Sequence, residues 1–124
     1  MTQEVPVTLA VPAVADYARS VRMLAANLAV VHGMCVDSVE DIRMAAEEGF
    51  VYACASGIDR CQITFEASDA VMRMSFSLGD VEPDSEDLSF AQVLLSAICD
   101  ECESDTQAGV LRLAVSCGGD YAGQ

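Results

Sequence analysis

Arg60-Cys-Gln-Ile-Thr-Phe-Glu-Ala-Ser-Asp-Ala-Val-Met-Arg-Met-Ser-Phe-Ser-Leu78 is the stretch on which the fold turns. Cys61, Ile63 and Phe65 alternate with Gln62, Thr64 and Glu66, and Met72, Met74, Phe76 and Leu78 alternate with Arg73, Ser75 and Ser77. Successive side chains of a strand point to opposite faces, so a period of two marks a strand with one face buried and one in water. The Ser68-Asp69 link is short enough for a hairpin. A sheet with one polar face needs helices on the other face only.

The flanking sequence supplies those helices. Before the hairpin, Val5, Val7, Leu9 and Val11 alternate with Pro6, Thr8 and Ala10, and Pro6 places this strand at a sheet edge because proline cannot donate to a ladder. Pro12 ends the strand and opens a helix over 13–32, whose stripe is Tyr17, Val21, Leu24, Ala25, Leu28 and Val31. Gly33 stops it. Asp37 followed by Glu40 reads as a capping box for a second helix, rich in small residues and closed by Gly57. After the hairpin come an acidic loop over 79–87, a helix over 88–102 and a last strand over 110–117 with Leu111, Leu113, Val115 and Cys117 inward. The expected architecture is α+β: a two-layer sandwich with a four-stranded mixed sheet and three helices on one face. Leu24, Leu28, Ile42, Phe50, Ile63, Phe65, Met74, Phe76, Leu94, Ile98 and Leu113 are the expected core. Residues 1–117 form one domain, and the Gly-rich residues 118–124 read as a loose tail.

Composition narrows the function. The chain has 124 residues and a net charge of −14, from twenty acids against six arginines. That field repels nucleic acid and anionic membranes, and it either favours a basic partner or simply keeps the protein soluble. The absence of lysine removes Schiff-base chemistry and lysine phosphate clamps. No apolar run is long enough to span a membrane, and Met1-Thr2-Gln3-Glu4 does not read as a leader, so a cytoplasmic location is expected. The six cysteines, at 35, 54, 61, 99, 102 and 117, read as free thiols, most of them in apolar periodic segments. Cys99-Asp-Glu-Cys102 has CxxC spacing, but a lone CxxC is half of a structural zinc site, and core packing is the simpler reading.

Three segments taken together resemble one family. They are Tyr17-Ala-Arg-Ser-Val-Arg-Met-Leu24, the helix from Val36 to Cys54, and Leu94-Leu-Ser-Ala-Ile-Cys-Asp-Glu-Cys-Glu103 with Gly109-Val-Leu-Arg-Leu-Ala-Val115. Their order and spacing are similar to those of the anti-sigma-factor serine kinases, members of the GHKL ATPase superfamily. The resemblance covers about residues 5–117. It implies a nucleotide site, a kinase activity, a homodimer and protein partners: a sigma factor, an anti-anti-sigma protein or a paralogue.

The same resemblance shows what this sequence has replaced. The family's catalytic Glu falls on Glu48, but the simpler reading of Glu48 is a solvated carboxylate beside Glu47. The magnesium-binding Asn four residues later is Tyr52, and a phenol is a poor magnesium ligand. The adenine-binding Asp of the Asp-x-Gly motif falls on Leu78, with Asp80 two residues beyond. The Gly-x-Gly that opens the third helix falls on Ser89 and Ala91. The lid is reduced to residues 79–87, with acids at 80, 82, 84, 86 and 87 that would repel a triphosphate. The expectation is therefore no cofactor, no metal and no catalytic residue. Arg19 and Arg22 mark a possible partner interface on the first helix. A serine kinase with a diverged ATP pocket is the alternative.

Overall fold

The computed structural model describes residues 6–68, 70–81, 85–105 and 107–116. Strand β1, Val7–Pro12, leads through a 3₁₀ turn at Ala15–Tyr17 into helix α1, Ala18–Val31. Gly33 turns the chain with a φ of +74°, in the left-handed region that side chains resist. Helix α2, Val36–Ala55, follows and is the longest element. Strands β2, Arg60–Ser68, and β3, Val71–Ser77, form the expected hairpin, with Phe65 opposite Met74 and Ile63 opposite Phe76. Helix α3, Ser85–Ile98, strand β4, Glu101–Asp105, and strand β5, Val110–Ser116, complete the order.

The sheet has five strands in the order β1-β2-β3-β5-β4, and every pair is antiparallel. It corrects the expected four-stranded mixed sheet. The added strand is β4, in a segment assigned above to the third helix. Glu, Ser and Asp are poor strand formers, and Leu95, Ile98, Cys99 and Cys102 continue a helical spacing. Pairing with β5 overrides both signals: Asp100 N–H donates to the Ala114 carbonyl at 2.7 Å, and Asp100 Oδ2 accepts from Ser116 N–H at 2.6 Å and from its hydroxyl at 2.5 Å. The helix therefore ends at Ile98.

Two further expectations shift. The N-cap of α2 is Cys35 rather than Asp37, and Asp37 sits in the first turn, where a carboxylate favours the helix dipole. Glu40 does not close a capping box but pairs with Arg43. The presumed acidic loop is partly helix, since α3 starts at Ser85. The expectations for Cys117 and the tail lie outside the described residues.

Phe50, Ile42, Ile63, Phe65, Met74, Phe76 and Leu113 are buried between the layers. Each such side chain contributes roughly 1.5–3 kcal/mol by leaving water. Leu24, Leu28 and Ile98 pack against this core only half-buried, and on α3 it is Leu95 rather than Leu94 that is fully covered. Helix α2 lies closest to the sheet at Gly49, where an added Cβ would come within 2.7 Å of the Phe76 ring. Small residues on this face thus set the spacing of the layers.

Candidate functional site

Glu48 and Tyr52 stand one turn apart on α2, on its flank toward α3. The Tyr52 hydroxyl lies 3.3 Å from Ser104 Oγ on β4, a hydrogen bond that joins the helix layer to the sheet edge. Ala91, in the interior of α3 and 7% exposed, faces the same place. Tyr52, Ala91, Leu95, Cys102, Ser104 and Leu111 line a cleft of about 180 Å³ together with Gln92 and Ser96. Ligand pockets commonly enclose roughly 300–1,000 Å³. This cleft is smaller, and its lining carries no formal charge.

Glu48 is half-buried, and burial, followed by the neighbouring Glu47 carboxylate, raises its pKa above the ordinary value of 4.5. Among the described residues no side chain holds it by a hydrogen bond or an ion pair. A general base needs an orienting partner or a substrate within hydrogen-bond reach.

The structure separates Leu78 from this cleft. Its side chain packs on the core, and its N–H donates to the Gly109 carbonyl at 2.8 Å. Asp80 is exposed. Ser89 lies in the second turn of α3, so the Ser89 and Ala91 backbone amides are inside a helix rather than at its open N-terminus. Interior amides are already bonded to carbonyls one turn back and cannot cradle phosphate.

Sequence reasoning missed what holds residues 78–81 in place. Ser56 is 2% exposed at the end of α2, and its hydroxyl donates to the Ala53 carbonyl at 2.5 Å and accepts from Gly79 N–H at 2.8 Å. The Ser56 carbonyl accepts from Val81 N–H at 2.9 Å. Gly79 approaches so closely that an added Cβ would stand 2.4 Å from the Ser56 carbonyl oxygen. The segment after β3 is thus sewn across the C-terminal turn of α2. The only signal in the sequence was the pair Gly57 and Gly79, which read as ordinary punctuation.

Arg22 on α1 pairs with Glu47 on α2 at 3.0 Å, so it bridges the two helices. Arg19 is exposed, and no acid pairs with it among the described residues. On the open face of the sheet Arg73 meets Glu101 at 3.6 Å, and Arg112 meets Glu103 at 3.6 Å and Asp105 at 3.5 Å.

Cys54, Cys61, Cys99 and Cys102 are free thiols. Burial pushes Cys61 up to about 11 and Cys99, near Cys102, up to about 12, with Cys54 and Cys102 also raised. Such thiols are poor nucleophiles at neutral pH. Among the described residues no group of three or more His, Cys, Asp or Glu could hold a metal ion. No described helix is long and apolar enough to cross a membrane.

No protein-family model and no curated protein matches the chain. A solved structure does: the crystal structure of the RsbU and RsbW domains of Rv1364c from Mycobacterium tuberculosis, with a TM-score of 0.63 and 20% sequence identity. The match covers 90% of this chain and 32% of that one, so the chain spans about a third of the neighbour's length. At that identity the likeness establishes the fold, an α+β sandwich.

Proposed function

We propose that this chain is a regulatory protein-binding domain related to the anti-sigma-factor kinases, which acts by protein contact and neither binds ATP nor transfers phosphate. The observation that carries the reading is Tyr52. Its phenol stands where the resemblance requires the magnesium-binding Asn and is held to Ser104. The adenine and phosphate positions that the resemblance implies fall on Leu78, Ser89 and Ala91, which supply neither a carboxylate nor a glycine. Losing one charge-assisted contact costs about 1.5–3 kcal/mol, and three such losses move a micromolar site beyond millimolar even with imperfect additivity.

Partners on this reading are a sigma factor, an anti-anti-sigma protein or an intact paralogue in the bacterial cytoplasm, met by a homodimer. The exposed Arg19 and the half-buried Arg22 contribute to the partner surface, and the net charge of −14 keeps nucleic acid and anionic membranes away. A capture experiment from the native host, with wild type and Arg19→Glu compared, identifies the partner; equal recovery of every captured protein by both would remove Arg19 from the interface.

A second reading, an ATP-dependent serine kinase with a diverged pocket, draws support from Glu48, whose raised pKa suits a base. Magnesium-ATP separates the two. A site occupied well above its dissociation constant raises the melting temperature. No shift at about 5 mM nucleotide is expected, and binding tighter than about 100 μM, near −5.5 kcal/mol, would overturn the non-catalytic reading.

A further inference from the structure

Charge is distributed unevenly along this chain. Through residue 32, Glu4 and Asp16 are balanced by Arg19 and Arg22, so the whole net charge of −14 belongs to the remainder. The two edges of the sheet differ accordingly: β1 carries no charged residue, whereas β4 reads Glu101-Cys-Glu-Ser-Asp105. Among the described residues no strand pairs with the second side of β4, so its outward N–H and C=O groups form an open ladder. Glu101, Cys102, Glu103 and Ser104 are all exposed, so neither face of this strand is covered.

Register fixes what each face of β4 presents. Cys102 and Ser104 stand opposite the buried Leu113 and Leu111, so they face the helix layer, and Glu101, Glu103 and Asp105 face the open side of the sheet. Cys102 and Ser104 belong to the lining of the uncharged cleft of about 180 Å³, which therefore opens along this edge. On the open side the acids stand outermost. Arg112 lies one strand inward and Arg73 two, and they meet these acids at 3.5–3.6 Å in exposed ion pairs, which contribute little. A strand laid beside β4 would run about 5 Å from the carboxylate row and about 10 and 14 Å from the two arginine rows. The arginines are then beyond the screening length of about 8 Å at physiological salt, and the acids are within it.

We infer that the outer edge of β4 binds an extended basic segment of a partner protein by strand addition, a segment in which Lys or Arg alternates with small uncharged residues. Strand addition draws its affinity from main-chain hydrogen bonds and its specificity from alternate side chains. With a period of two, every second side chain of the added strand lies over Glu101, Glu103 and Asp105, and the intervening ones point into the cleft. The cleft admits short apolar side chains and offers a charge no partner. Opposite charges paired across strands stabilise, and like charges directly opposite destabilise, so an acidic segment, β4 of a second copy included, is rejected. Five residues span about 17 Å, so the contact is short and reversible. This surface and this class of partner go beyond the proposed function and do not depend on whether the domain is catalytic.

A synthetic peptide built on the repeat Arg-Val-Lys-Ala, titrated into the full chain by calorimetry at low salt, tests it. Two control peptides carry the same charge: one has the same residues in block order, and one is N-methylated through its centre, which removes the main-chain donors. Each should bind at least about tenfold more weakly than the alternating peptide. Glu101→Gln combined with Glu103→Gln alters exposed side chains, so folding is preserved, and should weaken the alternating peptide at least about tenfold. Asp59→Asn, which removes an exposed acid near the β1 side of the sheet, should leave it unchanged. Adding the peptide should slow hydrogen exchange within residues 101–105 and slow alkylation of the exposed Cys102. Equal binding of the block-order or N-methylated peptide would reduce the effect to diffuse charge attraction and overturn the inference. Absence of binding at about 1 mM peptide, or protection confined to residues 7–12, would overturn it as well.

Discussion

Replacing Gly79 by alanine should destabilise this protein far more than an alanine in a loop ordinarily would. Gly79 has no positive φ, so conformational freedom is not the issue; space is. The new Cβ would stand 2.4 Å from the Ser56 carbonyl oxygen and 2.9 Å from the Gly57 carbonyl carbon and the Ile58 nitrogen. All three are backbone atoms and cannot rotate away. Relief requires residues 79–81 to lift off the end of α2, which breaks the bonds from Gly79 N–H to the Ser56 hydroxyl at 2.8 Å and from Val81 N–H to the Ser56 carbonyl at 2.9 Å. Each bond contributes about 0.5–1.5 kcal/mol net, and overpacking adds about 1–3 kcal/mol, so a loss of about 2–6 kcal/mol is expected. At about 3–5 °C per kcal/mol for a domain of this size, the melting temperature should fall by about 6–30 °C. Urea denaturation followed by circular dichroism reads the same quantity as a lower midpoint at unchanged slope. Gly33→Ala is the control, since nothing lies within 4 Å of its added Cβ and only its positive φ is strained, at about 1 kcal/mol. A Gly79→Ala cost no larger than the Gly33→Ala cost would show that the segment after β3 does not lie against α2.

Gly49→Val should cost about 1–3 kcal/mol, because the bulk added to the α2 face meets the Phe76 ring; an unchanged urea midpoint would argue against the layer spacing described. Tyr52→Asn restores the residue type that the resemblance expects, yet should not create magnesium-ATP binding by calorimetry, since Leu78, Ser89 and Ala91 remain; micromolar binding would mean that Tyr52 alone had closed the site. Asp41, half-buried near Asp37 and Asp100, and Glu48 both have raised pKa values, so their stabilising contribution is present below the ordinary 3.8 and 4.5 and is lost as pH rises through the raised values. The melting temperature should accordingly fall as pH rises from the ordinary carboxylate range towards about pH 8, where self-repulsion from the net charge acts in the same direction, and an optimum at the alkaline end would contradict the assignment. In a thiol titration the native protein should leave Cys61 and Cys99 slow to react at about pH 8, with pKa values near 11 and 12, while the denatured chain titrates all six cysteines; fast native labelling of both would refute their burial.

Alternation and helical stripes are local properties, and they were legible in this sequence. Residues 60–78 stated their hairpin directly, since period-two alternation leaves one face to bury. The stripe of Val21, Ala25 and Leu28 and the small residues Ala45, Ala46 and Gly49 placed two helices on that face. β4 was not legible. Its residues favour neither strand nor burial, and it exists because β5 offered an unpaired edge and Asp100 fastened the turn before it to Ser116. The candidate site divided in the same way. Through the resemblance, the identities at 52, 78, 89 and 91 carried the expectation of which chemical groups a nucleotide would lack. That Tyr52 reaches Ser104, that Ser56 ties down Gly79, and that Ser89 lies inside a helix are contacts between segments distant in sequence or a helix boundary set by packing. The charge asymmetry could be counted from the sequence. Only the strand order, which puts uncharged β1 at one edge and acidic β4 at the other, turned it into two chemically different sides, because which strands lie at the edges is decided by pairing across the whole chain and by no residue alone.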